Sequence, residues 1–265
     1  MSINDESAAT RLLWTGGWAS TFQLLRVLLQ QRRPVVPYYL VDSGRPSTQV
    51  ELATMERIRA RLALLHPGTR ALLAGTRICQ VADLAPDAEV DAAFRRELQG
   101  AFIGSQYAWL ARFCRQHSID DLQLCIHRDD QAHAVIEPLV IRVAGVDGTC
   151  TWRMDPNFRA TDPDPCLLFD RFSLPLFETS KLDMSRAAEE QGWTALMHMT
   201  WFCHRPGRDQ QPCGRCNPCL YTIEEGLGWR IPAGRRATSA VYRTFVRPFK
   251  APAKALLQKL QPRAG

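Results

Sequence analysis

An apolar run, a glycine pair and a leucine-spaced stretch, followed at once by a second apolar run, open this chain and leave few folds for it. Arg11 to Trp14 predicts a strand, Thr15 to Thr21 a tight loop around Gly16 and Gly17, and Phe22 to Leu29 a helix. Val35 to Val41 predicts a second strand, closed by Asp42-Ser43-Gly44. A helix then opens at Thr48 with Glu51 three residues on, the spacing of a capping box, and continues through Leu52, Met55, Ile58, Leu62 and Leu65. Strands joined by helices run parallel, because such a crossover needs a dozen or more residues, and a parallel sheet must be covered on both faces. The expected fold is α/β: an open parallel sheet with helices on both faces.

The later pattern continues this theme. A third strand is expected within Leu72 to Leu84, a short helix at Ala92 to Leu98, a helix from Ser105 to Gln116 and a buried strand from Leu122 to Ile126. Ile141 to Val143 and Cys150 to Trp152 flank Asp147-Gly148, a turn pair, and predict a β-hairpin. A last helix runs from Ser180 to Gln191, stopped by Gly192. A chain of 265 residues, 46% hydrophobic, can bury an ordinary core. It shows no basic leader with an apolar stretch behind it and no run of roughly 20 apolar residues, so a cytoplasmic protein with no transmembrane segment is expected. The net charge of +6 is unevenly placed: residues 235–265 hold eight Lys and Arg and no acid, which predicts a basic tail open to an acidic partner.

Two motifs carry chemistry. A glycine loop between a strand and a helix presents clustered N–H groups at the positive end of the helix dipole, where a phosphate is favoured. Gly16 and Gly17 allow close backbone approach, and Thr15, Ser20 and Thr21 add hydroxyls. Near the other end, Cys203, Cys213, Cys216 and Cys219 are spaced C-x9-C-x2-C-x2-C. Four thiolates close a tetrahedral shell with no open position, the form of a structural zinc site, with an iron–sulfur cluster as the competing reading. Cys79, Cys114, Cys125, Cys150 and Cys166 are scattered in apolar contexts and are expected to be inert core residues.

Thr15-Gly16-Gly17-Trp18-Ala19-Ser20-Thr21 resembles the Ser-Gly-Gly-x-Asp-Ser signature of PP-loop ATP pyrophosphatases, with Ala19 where that family has its aspartate. Together with Thr200-Trp201-Phe202-Cys203, Pro212-Cys213-Gly214-Arg215-Cys216-Asn217-Pro218-Cys219-Leu220 and Pro175-Leu176-Phe177-Glu178-Thr179-Ser180-Lys181, it resembles the 7-cyano-7-deazaguanine synthases. The resemblance spans residues 11 to about 228, in the family's order. It implies an ATP-dependent ligase that adenylates a 7-deazaguanine carboxylate, releases pyrophosphate and passes the acyl group to ammonia or another amine. Thr15, Gly16, Gly17, Trp18, Ser20 and Thr21 then bind ATP, Mg²⁺ bridges the phosphates, and Lys181 neutralises charge at the departing pyrophosphate.

Asp42 and Arg45 after the second strand, Gln106 at a helix start, and His127, Asp129 and Asp130 after the strand at Leu122 are candidates for substrate or metal, because loops at that sheet edge bind ligands. Ala19 can neither hold Mg²⁺ nor accept a hydrogen bond, so weak turnover is expected. Two readings stand beside this one: a specialised relative that joins the activated carboxylate to a protein amine, and a non-catalytic nucleotide-binding protein. A nucleic-acid partner for the four-cysteine segment and tail ranks behind them. The expected organisation is a nucleotide-binding domain at 11–199, a zinc segment at 200–228 packed on it and a basic tail at 235–265, in a chain that can form a homodimer.

Overall fold

The structure is a computed structural model that describes residues 9–100, 103–145 and 149–245. It divides into two compact units, Met1–Trp201 and Phe202–Gly265. In chain order the first unit contains β1 (Thr10–Leu13), α1 (Trp18–Leu25), β2 (Val35–Val41), α2 (Thr48–Leu65), α3 (Thr69–Leu72), β3 (Arg77–Gln80), α4 (Ala88–Gly100) and α5 (Gln106–Gln116). It continues with β4 (Leu122–Gln123), α6 (Gln131–Ile136), β5 (Val140–Ala144), β6 (Cys150–Met154), α7 (Pro163–Phe169), β7 (Phe172–Ser173), α8 (Lys181–Glu190) and α9 (Thr194–Met197). The second unit holds α10 (Asn217–Glu224) and α11 (Ala233–Phe245).

Five strands form one sheet in the order β3-β2-β1-β4-β7, every pair parallel. Leu12 on β1, Leu122 on β4 and Phe172 on β7 are fully buried. α1, α2, α8 and α9 pack among themselves, and so do α4, α5 and α7, which gives the sheet a helical layer on each face. Strand order reverses between β1 and β4, so the crevice beyond their carboxyl ends is the topological switch point where open α/β sheets bind ligands.

Several boundaries differ from the sequence reading, each for a local reason. α1 begins at Trp18, four residues before Phe22, because Gly17 stays extended while its carbonyl already accepts the Thr21 N–H at 3.0 Å. The helix then widens into a π turn over Arg26–Gln30. The capping box expected at Thr48 and Glu51 does not form. Ser47 is the cap residue, and the buried Glu51 carboxylate instead accepts from Ser47 Oγ at 2.6 Å and Tyr39 OH at 2.8 Å. Burial beside this carboxylate pushes the Tyr39 phenol far above its usual range. β5 and β6 pair antiparallel as the expected hairpin, although its Asp147-Gly148 turn lies outside the described residues. A single bridge ties this separate two-stranded sheet to the residue after β7, since Trp152 and Leu174 exchange backbone hydrogen bonds at 2.9 and 3.3 Å. Of the five scattered cysteines, Cys114 and Cys166 are buried, Cys79 and Cys125 are half-buried, and Cys150 is exposed, contrary to the core reading.

In the second unit, the start of the basic tail is ordered helix. α11 buries Ser239, whose hydroxyl donates to the carbonyls of Gly214 and Arg235. Residues 246–265 of the tail lie outside the described residues.

Candidate functional site

Parallel strands deliver their following loops to one edge, and helices returning from it start there. The loops after β1, β2, β4 and β7, and the N-terminus of α5, therefore share the carboxyl edge of the sheet. The loop after β1 is held from several sides. Gly16 sits at φ +67°, and a Cβ there would stand 3.1 Å from Met55 Cγ and 3.4 Å from the Glu51 carbonyl. Its carbonyl accepts the Trp201 N–H at 2.9 Å. The hydroxyl of Thr200 donates to the Met197 carbonyl at 2.7 Å, which fixes the residue before that contact. The Thr-Trp pair thus has a structural use that spacing alone did not disclose: it braces the glycine loop.

The hydroxyls of Thr15 and Ser20 lie 3.4 Å apart at the loop, and Ser20 Oγ also accepts the Thr15 N–H at 3.3 Å. Thr21 is different. It is fully buried, and its hydroxyl accepts the Trp14 indole N–H at 3.1 Å, so it secures α1 to β1 rather than facing the loop opening. Trp18 is likewise buried, whereas Ala19 is half-buried in the first turn of α1.

After β4, His127, Asp129 and Lys181 come together. His127 is buried, and its Nδ1 accepts the Asp129 N–H at 3.2 Å, which leaves the proton on Nε2. Burial, reinforced by Lys181 and then His133, pulls the imidazole down to about 3, so it stays neutral at ordinary pH. Asp129 Oδ2 accepts the Lys181 N–H at 2.7 Å, placing its carboxylate at the positive end of α8. A capping box between Ser180 and Asp183 sets that helix start. Arg128 joins the two loops by donating its N–H to the Thr179 carbonyl at 3.2 Å and its guanidinium to the Glu178 carbonyl. Asp130 caps α6 through the Ala132 N–H at 3.0 Å, and burial raises its carboxyl.

The remaining candidates are placed as follows. Asp42 accepts the Gly44 N–H at 3.0 Å, and Arg45 lies 3.9 Å from Glu51, so both shape the turn after β2. Gln106 stands in the first turn of α5 with its side chain folded over Gly104. A residue that the sequence did not single out, Arg26, is lowered by burial and donates to the Pro175 carbonyl at 3.4 Å, linking α1 to the loop after β7.

In the second unit, the sulfurs of Cys203, Cys213, Cys216 and Cys219 lie within 4.8 Å of one another, an arrangement able to hold a metal ion. The N–H groups of Cys213, Arg215 and Cys216 point at sulfurs at 3.2 to 3.4 Å, the donor shell expected around thiolates. Gly214 sits at φ +73°, and a Cβ there would meet the Arg235 carbonyl at 2.7 Å. Only glycine allows the loop to turn so tightly under α11.

Residues 171–226 match the family model described as queuosine biosynthesis protein QueC. The sequence matches no curated protein. Among solved structures, the chain aligns with U34-tRNA thiolase NcsA from Methanococcus maripaludis with its [4Fe-4S] cluster, at 10% identity and a TM-score of 0.41, over 91% of this chain and 73% of that one. The matched segment runs from β7 through the start of α8, Trp201 and all four clustered cysteines, and over it this chain is similar to the QueC family.

Proposed function

We propose that this protein binds ATP at the loop after β1 and uses it to activate a 7-deazaguanine-type carboxylate for capture by an amine. The observation that carries this reading is that a glycine loop at a helix start and the group of His127, Asp129 and Lys181 share the carboxyl edge of a parallel sheet at its switch point. Backbone N–H groups at Gly16 and Gly17, with the Thr15 and Ser20 hydroxyls, take the phosphates. Lys181 supplies positive charge where the leaving pyrophosphate gathers negative charge. His127, neutral and with its Nε2 proton free to donate, is suited to an uncharged polar group of a purine-like ring. Mg²⁺, when bound with ATP, screens the phosphate charges, and Ala19 offers it no ligand.

The four-cysteine site fits a single zinc ion. A regular tetrahedron with Zn–S bonds near 2.3 Å has sulfur–sulfur edges of about 3.8 Å. Three of the six separations are 3.4 Å for Cys216–Cys219, 3.8 Å for Cys203–Cys216 and 3.9 Å for Cys213–Cys219, and all lie within 4.8 Å. A cluster that gives each sulfur its own iron needs a wider set.

The test is pyrophosphate release from ATP and Mg²⁺ with a 7-deazaguanine carboxylate, with and without ammonia, for the native chain and for Ala19→Asp. A restored carboxylate ligand should raise the rate by about a thousandfold, the worth of several kcal/mol at the transition state. Equal, substantial rates would remove position 19 from the metal site. Absence of nucleotide binding in both would overturn the reading.

A further inference from the structure

We propose that a cavity at the amino edge of the sheet, opposite the nucleotide loops, is a second site that binds a small phosphate-bearing anion. Central strands of a parallel sheet covered on both faces are ordinarily near-continuous apolar runs. β1 departs from this at Arg11, which lies between Val36 on β2 and Leu122 on β4. Among the described residues, Arg11 makes no side-chain hydrogen bond or ion pair. A half-buried guanidinium in a central strand, with no counter-ion among the described residues, costs stability unless something else compensates its charge.

Arg11 opens into a cavity of about 280 Å³ that Arg77, Tyr38, Phe113, His117 and Ser118 also line. Among the described residues no carboxylate lines it. Arg77 is held in place there: its Nη1 donates to Tyr38 OH at 3.2 Å, and its guanidinium lies over the Tyr38 ring at 5.6 Å from the centroid. Because Tyr38 accepts that bond, its own O–H proton remains available to donate. Two guanidinium forks, with an imidazole and two hydroxyls around an apolar floor, form a donor-rich set that matches phosphate geometry. The location is separate from the nucleotide edge, since Arg11 and Val36 lie near the starts of their strands and His117 and Ser118 precede β4. The inference therefore does not depend on the proposed ligase reaction. The half-open space of this volume suits inorganic phosphate or a compact phosphate monoester, not a nucleotide.

Calorimetric titration of the full chain with inorganic phosphate and with glycerol phosphate, at constant ionic strength, tests this. A site distinct from the nucleotide loop is expected, weakened about tenfold or more in Arg11→Gln and in Arg77→Gln, and unchanged in Lys181→Gln. A tighter ester identifies an organic ligand and a tighter free ion identifies phosphate itself; either result supports the site. If Arg11→Gln does not fold, Arg77→Gln, altered at an exposed side chain, carries the comparison. Absence of binding up to about 10 mM, equal binding in Arg77→Gln, or a loss that follows Lys181→Gln would overturn it.

Discussion

At φ +67°, with Met55 Cγ 3.1 Å from where a Cβ would stand, Gly16 adopts a conformation in which any other residue is strained and crowded. Gly16→Ala should cost about 1–3 kcal/mol in urea unfolding and weaken nucleotide binding, because the loop must shift away from α2. His127 gives a second residue-scale expectation, with a defined sign. Above pH 6.5 its imidazole is neutral in both folded and unfolded chains and contributes nothing. Below that pH the unfolded chain takes up a proton that the folded one refuses until about pH 3, so stability falls by about 1.4 kcal/mol per pH unit. Between pH 7 and pH 5 the native chain should therefore lose about 2 kcal/mol more than His127→Gln. Equal losses in the two would show that the imidazole protonates in place.

Elements show which signals are local. β2 occupies Val35–Val41, as its aromatic and β-branched run predicts, and α8 starts at a capping box and ends at Gly192, whose φ of +70° completes the helix stop. β7 was not legible, since two residues carry no periodicity, and its strand character comes from pairing with β4. α11 was obscured by its basic composition. With Ser239 buried against Gly214, ending the chain at 232 should lower metal retention by the four cysteines, whereas ending it at 245 should preserve it. Metal content and thermal melting of the two truncations check this, and equal retention would mean that α11 does not support the loop.

For the molecule as a whole, the metal expectation is one zinc per chain. Cys216→Ser should lower both zinc content and melting temperature, because a closed thiolate site contributes folding free energy. Elemental analysis that finds iron instead would return the iron–sulfur reading. Among the described residues, no helix is long and apolar enough to cross a membrane.

The sequence by itself determined what lies within a few residues: the parallel α/β plan from strand and helix periods, the glycine loop, the Gly192 stop of α8 and the metal-ligand spacing. Only tertiary structure decided which polar groups face the site. Thr21 resembles a phosphate-binding hydroxyl until Trp14 claims it, Glu51 resembles a cap until Tyr39 and Ser47 do, and Arg11 resembles an ordinary strand residue until a cavity opens beside it. The brace from Trp201 to Gly16 joins opposite ends of the first unit. Periods and caps are written in neighbouring residues, whereas a side chain's free donor or acceptor depends on partners that meet only when the sheet closes.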